Sequence, residues 1–83
     1  MKAVYFAWVR ERVGCSEEEI TPPADVVSVA DLLAWLGQRG EEYEHAFGNA
    51  KVIRVAIDQM HVKHDALIAG AREIAFFPPM TGG

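Results

Sequence analysis

The chain has 83 residues, with 8 Lys plus Arg against 12 Asp plus Glu, for a formal charge of −4 at neutral pH. That balance argues against a nucleic-acid ligand, which needs a basic face, and against an anionic membrane surface as partner. Apolar residues make up 51% and charged residues 24%, the composition of one small globular domain with little room for an enclosed active site. The longest clean apolar run, Ala3–Val9, is too short to span a bilayer, and no signal-type apolar stretch with a small-residue cleavage site follows the N-terminus. A lone cysteine, Cys15, fits a reducing compartment. These features predict a cytoplasmic protein.

Residues 2–6, Lys-Ala-Val-Tyr-Phe, are rich in β-branched and aromatic side chains and predict a first strand, with Val4 and Phe6 on one face and Ala3 and Tyr5 on the other. Val9 and Val13 form an i, i+4 pair ahead of Gly14, which suits a short helix over 7–13 with Gly14 as its C-cap; a strand that simply runs on is the alternative. Glu17–Ile20 lies before Thr-Pro-Pro and predicts a charged edge strand. Alternation divides its glutamates between two faces, so a solvated edge explains them better than a metal or acid–base cluster.

The strongest helix signal covers 29–39. Ser28 is its N-cap, Asp31 stands at N3, and Val29, Leu32, Leu33 and Leu36 form one apolar stripe, with Gly40 at C′ and Trp35 on the flank of the stripe. A second short helix is expected over 41–47. Residues 52–57 predict a strand with Ile53, Val55 and Ile57 facing the core and Val52, Arg54 and Ala56 facing away. Asp58-Gln59 is a tight connection to a returning strand at 60–63. Residues 65–69 are a turn, and 72–77 form the last strand, stopped by Pro78-Pro79. Strands at both ends with one main helix between them predict an α+β fold, the β-grasp or ubiquitin-like architecture: a mixed sheet, first and last strands parallel in its middle, the 29–39 helix across one face. The domain is expected over 1–78, followed by a flexible tail at 79–83.

There is no glycine-rich phosphate loop, nucleophile elbow or cysteine–histidine motif. His61 and His64 would share a face on a helix but not on a strand or turn, so metal binding is not expected. His45 suits a solvated helix face. The glutamates after Cys15 would raise its thiol pKa, the wrong direction for a nucleophile. The informative segment is the end, Ile74–Gly83, which holds no ionisable side chain. Pro78 and Pro79 favour a stiff, extended lead-in, and residues 79–83 can reach roughly 15 Å. Gly82 and Gly83 carry no side chain, so the tip can thread a narrow channel. A terminal carboxylate is ionised at neutral pH and is a poor electrophile; to carry a group it needs activation, most simply as an acyl-adenylate. No ATP site is recognisable in this chain, so a separate activating enzyme is implied.

Phe6-Ala-Trp-Val-Arg-Glu-Arg-Val-Gly14 resembles the opening, and Ala75-Phe-Phe-Pro-Pro-Met-Thr-Gly-Gly83 the closing motif, of the molybdopterin synthase small-subunit family. The resemblance covers essentially the whole chain. It implies a sulfur carrier whose terminal Gly83 is adenylated with ATP by an enzyme related to ubiquitin-activating enzymes, then converted to a thiocarboxylate by a sulfur donor system. The tail would enter the large subunit and pass sulfur to cyclic pyranopterin monophosphate, two transfers building the dithiolene, in a heterotetramer. Carried over, Gly83 bears the reactive group, Gly82 keeps the tip slim, and Phe77, Pro78, Pro79, Met80 and Thr81 line the tail's path into its partner. The resemblance implies no cofactor bound by the carrier and no catalysis by it alone. Strand parity puts Phe76 and Phe77 on opposite faces, one in the core and the other a partner-facing anchor; Phe76 inside and Phe77 outside is the preferred of the two arrangements, with Trp8 and Met60 as candidate additions to an apolar patch. Two other readings compete: a carrier for thiamine thiazole synthesis or tRNA thiolation, and a ubiquitin-like modifier or binding module that carries no sulfur.

Overall fold

The computed structural model describes residues 1–79. Its elements are β1 (Lys2–Tyr5), α1 (Ala7–Val13), β2 (Glu17–Glu19), α2 (Val29–Gly37), α3 (Glu41–Phe47), β3 (Arg54–Ile57), β4 (Met60–Val62) and β5 (Glu73–Phe77), with a 3₁₀ turn at Ala50–Val52 before β3. The strands form one sheet in the order β2-β1-β5-β3-β4. β1 runs parallel to β5, and the other pairs are antiparallel. This is the mixed β-grasp sheet that the element order predicts. β5 takes the centre because Ile74, Ala75 and Phe76 are all buried, leaving apolar side chains for both faces. β2 takes an edge, where Glu17 and Glu19 face water and oppose further strand pairing.

One face of the sheet carries Ala3, Tyr5, Val55, Ile74 and Phe76, and the apolar stripe of α2 (Val29, Leu32, Leu33, Leu36) joins them in a single core. Burying each large side chain of that set stabilises the fold by about 1.5–3 kcal/mol. α2 starts at a capping box: Ser28 Oγ accepts from Asp31 N–H at 3.1 Å, and Asp31 Oδ2 accepts from Ser28 N–H at 3.2 Å. Backbone N–H groups of Val27 and Ser28 hold the Asp31 carboxyl below its ordinary range.

The helix ends two residues before the expected limit. Gln38 N–H and Arg39 N–H bond to the carbonyls three residues back, at 3.1 Å each, so the last turn tightens and stops. Gly40 is therefore not the C′ residue of α2; it is the N-cap of α3, its carbonyl accepting from Glu44 N–H at 2.9 Å. The strand expected from residue 52 begins at Arg54, because Val52 N–H and Ile53 N–H bond back to Asn49 and Ala50 in the 3₁₀ turn. Ala56 does face away from the helices, yet it is buried: its methyl group sits between Ala75 and His61 in register across the sheet.

α1 exists as a helix rather than as a continuation of β1. Ala7 turns the chain with φ 52°, and Gly14 closes the helix at φ 96° with its N–H on Arg10 O at 2.9 Å. Asp58 and Gln59 have φ 48° and 73°, as a two-residue hairpin turn requires between β3 and β4. A polar cluster secures α3 and β2 on the helix side: Glu18 Oε2 accepts from Tyr43 OH at 2.7 Å, Tyr5 OH at 2.8 Å and Arg39 Nη1 at 3.2 Å. Burial pushes the Glu18 carboxyl up, but these hydrogen bonds and the guanidinium charge outweigh it, so the group lies below its ordinary range. Burial and the same carboxylate push Tyr43 up to about 12.

Candidate functional site

β1 and β5 each finish on an aromatic pair, Tyr5-Phe6 and Phe76-Phe77, and register sets Tyr5 opposite Phe76. Alternation then sends one ring of each pair inward and one outward. Inside, Tyr5 stacks on Phe76 at 5.6 Å, and Phe47 meets Phe76 edge-on at 5.5 Å. Outside, Phe6 and Phe77 stack nearly parallel, centroids 4.6 Å apart at 5°, with the His61 ring 5.6 Å from Phe77. Phe76 is fully buried, which decides between the two arrangements that parity allows, while Phe6 is 39% exposed and Phe77 half-buried. The sheet thus ends in an apolar ledge at the point where the chain leaves it. Pro78 and Pro79 offer no N–H to a ladder, so pairing stops there.

Two grooves flank this exit. One, about 500 Å³, is lined by Phe6, Ala7, His61, Phe77 and Pro78; the other, about 460 Å³, by Lys51, Lys63, His64, Ile53 and Val62; Arg54 and Pro79 line both. His64 Nε2 is 2.7 Å from Ile53 O and donates to it, tying the end of β4 to the start of β3. Among the described residues, no group of three or more His, Cys, Asp or Glu is placed to hold a metal ion. Burial, then the Glu18 charge, pushes the Cys15 thiol up, with Arg39 opposing; this is no thiolate nucleophile.

Of the residues singled out in the sequence, Phe77, Pro78 and Pro79 come together at the exit; Met80, Thr81, Gly82 and Gly83 lie outside the described residues. Trp8 and Met60 do not join the ledge. Met60 pairs with Ile57, which puts it on the helix side of the hairpin. Trp8 packs against the core beneath the Arg12 guanidinium, 4.1 Å from its ring. Their places are taken by Phe6 and His61. Phe6 was legible from its parity with Val4, but only the β1–β5 register stacks it on Phe77. His61 and Arg54 have no sequence signal of their own; the hairpin brings them to the ledge.

Residues 3–83 match the ThiS family. The chain belongs to that family. It is 34% identical over 83 residues to the molybdopterin synthase sulfur carrier subunit of Escherichia coli (strain K12), covering 100% of this chain and 99% of that protein. It is 30% identical over 83 residues to the subunit of the same name from Haemophilus influenzae, again with 100% and 99% covered. Among solved structures, SAMP1 of Haloferax volcanii superposes with a TM-score of 0.74 at 25% identity, covering 100% of this chain and 98% of that one. A Pyrococcus furiosus protein described as molybdopterin converting factor, subunit 1, gives 0.65 at 25% identity, with 95% of each chain covered. This ThiS-family protein is thus a β-grasp chain related over its full length to sulfur carrier subunits. No helix among its described residues is long and apolar enough to cross a membrane.

Proposed function

We propose that this chain is the sulfur carrier subunit of a molybdopterin synthase and works through the carboxylate of Gly83. The observation that carries the reading is the course of β5. The central strand of the sheet ends at the Phe6–Phe77 ledge and passes directly into Pro78-Pro79, ahead of an uncharged Met-Thr-Gly-Gly end. A rigid strand thereby brings the chain out of the sheet at Pro78-Pro79, with apolar surface at that exit for the protein that receives the tail. In this reading the domain ends at residue 78 and the tail comprises residues 79–83.

The Gly83 carboxylate oxygen attacks the α-phosphorus of ATP on a separate ubiquitin-activating-like adenylyltransferase, releasing pyrophosphate. A sulfur nucleophile from the donor system then attacks the acyl carbon, and AMP leaves. With donor persulfide the resulting disulfide needs a thiol reductant to release the thiocarboxylate; with hydrosulfide it forms directly. On the large subunit the thiocarboxylate sulfur bonds to a side-chain carbon of cyclic pyranopterin monophosphate as an oxygen substituent leaves that carbon, and water then cleaves the acyl–sulfur bond, which leaves the sulfur on the pterin and returns Gly83 to the carboxylate. The carrier supplies the acyl group and the fit, while its partners supply the catalytic groups. All of this belongs to the cytoplasm.

The test is mass spectrometry of the tryptic peptide Glu73–Gly83, from protein made beside its native partners and alkylated before digestion. Exchange of one oxygen for sulfur and oxidation of Met80 both add about 16 Da, and alkylation separates them because the peptide has no cysteine. An alkylated C-terminus is the expected result. A bare carboxylate, in cells with active sulfur loading, overturns the reading. The likeness to SAMP1, whose full name is small archaeal modifier protein 1, favours one second reading: attachment of Gly83 to lysines of other proteins. Lysines that carry the Glu73–Gly83 segment as a branch after tryptic digestion would establish it.

A further inference from the structure

The charge on this chain is unevenly placed. Its formal charge is −4, yet Lys51, Arg54, Lys63 and His64 line one groove, and no acidic side chain lines it with them. Lys51, Arg54 and Lys63 are exposed, and among the described residues none has a carboxylate within 4.0 Å. Of the other cations, Arg10 and Arg72 likewise have no carboxylate within 4.0 Å among the described residues, but neither lines this groove. Lys2 lies 3.0 Å from Glu17, Arg39 lies 3.2 Å from Glu18, and Arg12 covers Trp8. Asp58, the acidic residue of the β3–β4 hairpin, is at the far end of β3, about 13 Å along the strand from Arg54, and its carboxylate accepts from Arg72 and Glu73 N–H groups. Asp65 follows His64 in the chain but does not line the groove. Across the sheet the opposite edge is the glutamate strand β2.

We infer that this cationic groove is a docking site for an acidic strip on the protein that receives the tail, beside the opening the tail enters. The inference rests on the carrier reading and names the surface chemistry of its partner. Pro79, the residue before Met-Thr-Gly-Gly, lines this groove as well as the apolar one. The tail ends in a carboxylate at most roughly 15 Å further on. A receiving site for that end needs hydrogen-bond donors or cations at its depth, and a cationic root is matched by negative charge at its rim. The two ends of the tail therefore carry opposite electrostatic instructions, which orient the carrier before the apolar ledge closes.

Stopped-flow association of the full-length carrier with purified molybdopterin synthase large subunit from the same source tests this. At low ionic strength, Lys51→Glu/Lys63→Glu is expected to slow association about tenfold, with the difference closing towards 0.5 M salt as the Debye length falls to about 4 Å. Lys63→Glu alone is compared with Arg72→Glu, which changes net charge equally at the other end of β5. The groove variant is expected to slow association about threefold and Arg72→Glu by less than twofold. Equal effects of Lys63→Glu and Arg72→Glu, or no effect of the double variant, overturn the docking site and leave the carrier reading intact. Failure of the unaltered chain to bind the large subunit overturns both. Since Lys51 and Lys63 are exposed, an unchanged thermal midpoint confirms that a slowed variant is folded.

Discussion

Gly14 and Glu18 show how much single positions decide. Gly14 closes α1 in the left-handed region, and a Cβ built there would meet nothing within 4 Å. Gly14→Ala therefore carries only the backbone cost, and urea unfolding is expected to show a loss of about 1–2 kcal/mol. Glu18 is different, because its worth lies in three donors converging on one oxygen. Its side chain is 21% exposed, so Glu18→Gln is expected to cost about 1–2 kcal/mol at pH 7. The folded-state carboxyl is lowered from its ordinary 4.5. That contribution is present in full above the ordinary value and disappears as pH falls through the lowered one. Urea unfolding of both proteins at pH 7 and pH 3 should show the gap between them narrowing at pH 3. The glutamate run was legible as a solvated edge, which holds for Glu17 and Glu19. The role of Glu18 was not, because Tyr5, Arg39 and Tyr43 reach it from three other segments.

At the scale of elements, β5 serves two faces with adjacent rings. Phe76→Ala removes the centre of the buried aromatic cluster and is expected to cost about 3–5 kcal/mol in denaturant unfolding. Phe77→Ala loses the outer stack on Phe6, about 1 kcal/mol. If the ledge docks a partner, Phe77→Ala should weaken large-subunit binding about tenfold or more by calorimetry, far beyond its stability loss. Equal losses in stability and binding would make Phe77 merely structural. The elements themselves follow local rules. Ser28 and Asp31 box the start of α2, its leucines repeat at helical spacing, and Asp58-Gln59 turns the hairpin. The differences occur at junctions: the tightened end of α2, Gly40 passing to α3, and the 3₁₀ turn taking the first residues assigned to β3. Each is a hydrogen-bond choice between neighbouring turns, which composition does not resolve.

On the scale of the whole molecule, the fold separates three surfaces: a glutamate edge at β2, an apolar ledge at the tail root, and a cationic groove beside it. Among the described residues, the core is built from Ala3 to Phe76. Removing Gly82 and Gly83 is expected to leave the thermal midpoint within about 1 °C, since two glycines bring no side chain to bury. The same change should abolish thiocarboxylate formation, read by mass spectrometry of the alkylated C-terminal peptide. A large drop in the midpoint would mean that the tail packs on the domain.

Read alone, the chain specifies its strands, its main helix, the split of Phe76 and Phe77 between two faces and the uncharged glycine end, because periodicity, caps and terminal chemistry are local; only the packed sheet decides that Phe76 is the inner ring. The Phe6–Phe77 stack needs β1 and β5, more than 60 residues apart, to pair parallel and in register. The exclusion of Met60 from that ledge follows from the register of β3 with β4. The gathering of Lys51, Arg54, Lys63 and His64 around Pro79 needs a 3₁₀ turn, a hairpin and the end of β5 to converge. Net charge counts those cations without locating them; the sheet order puts them on one side of an otherwise acidic protein.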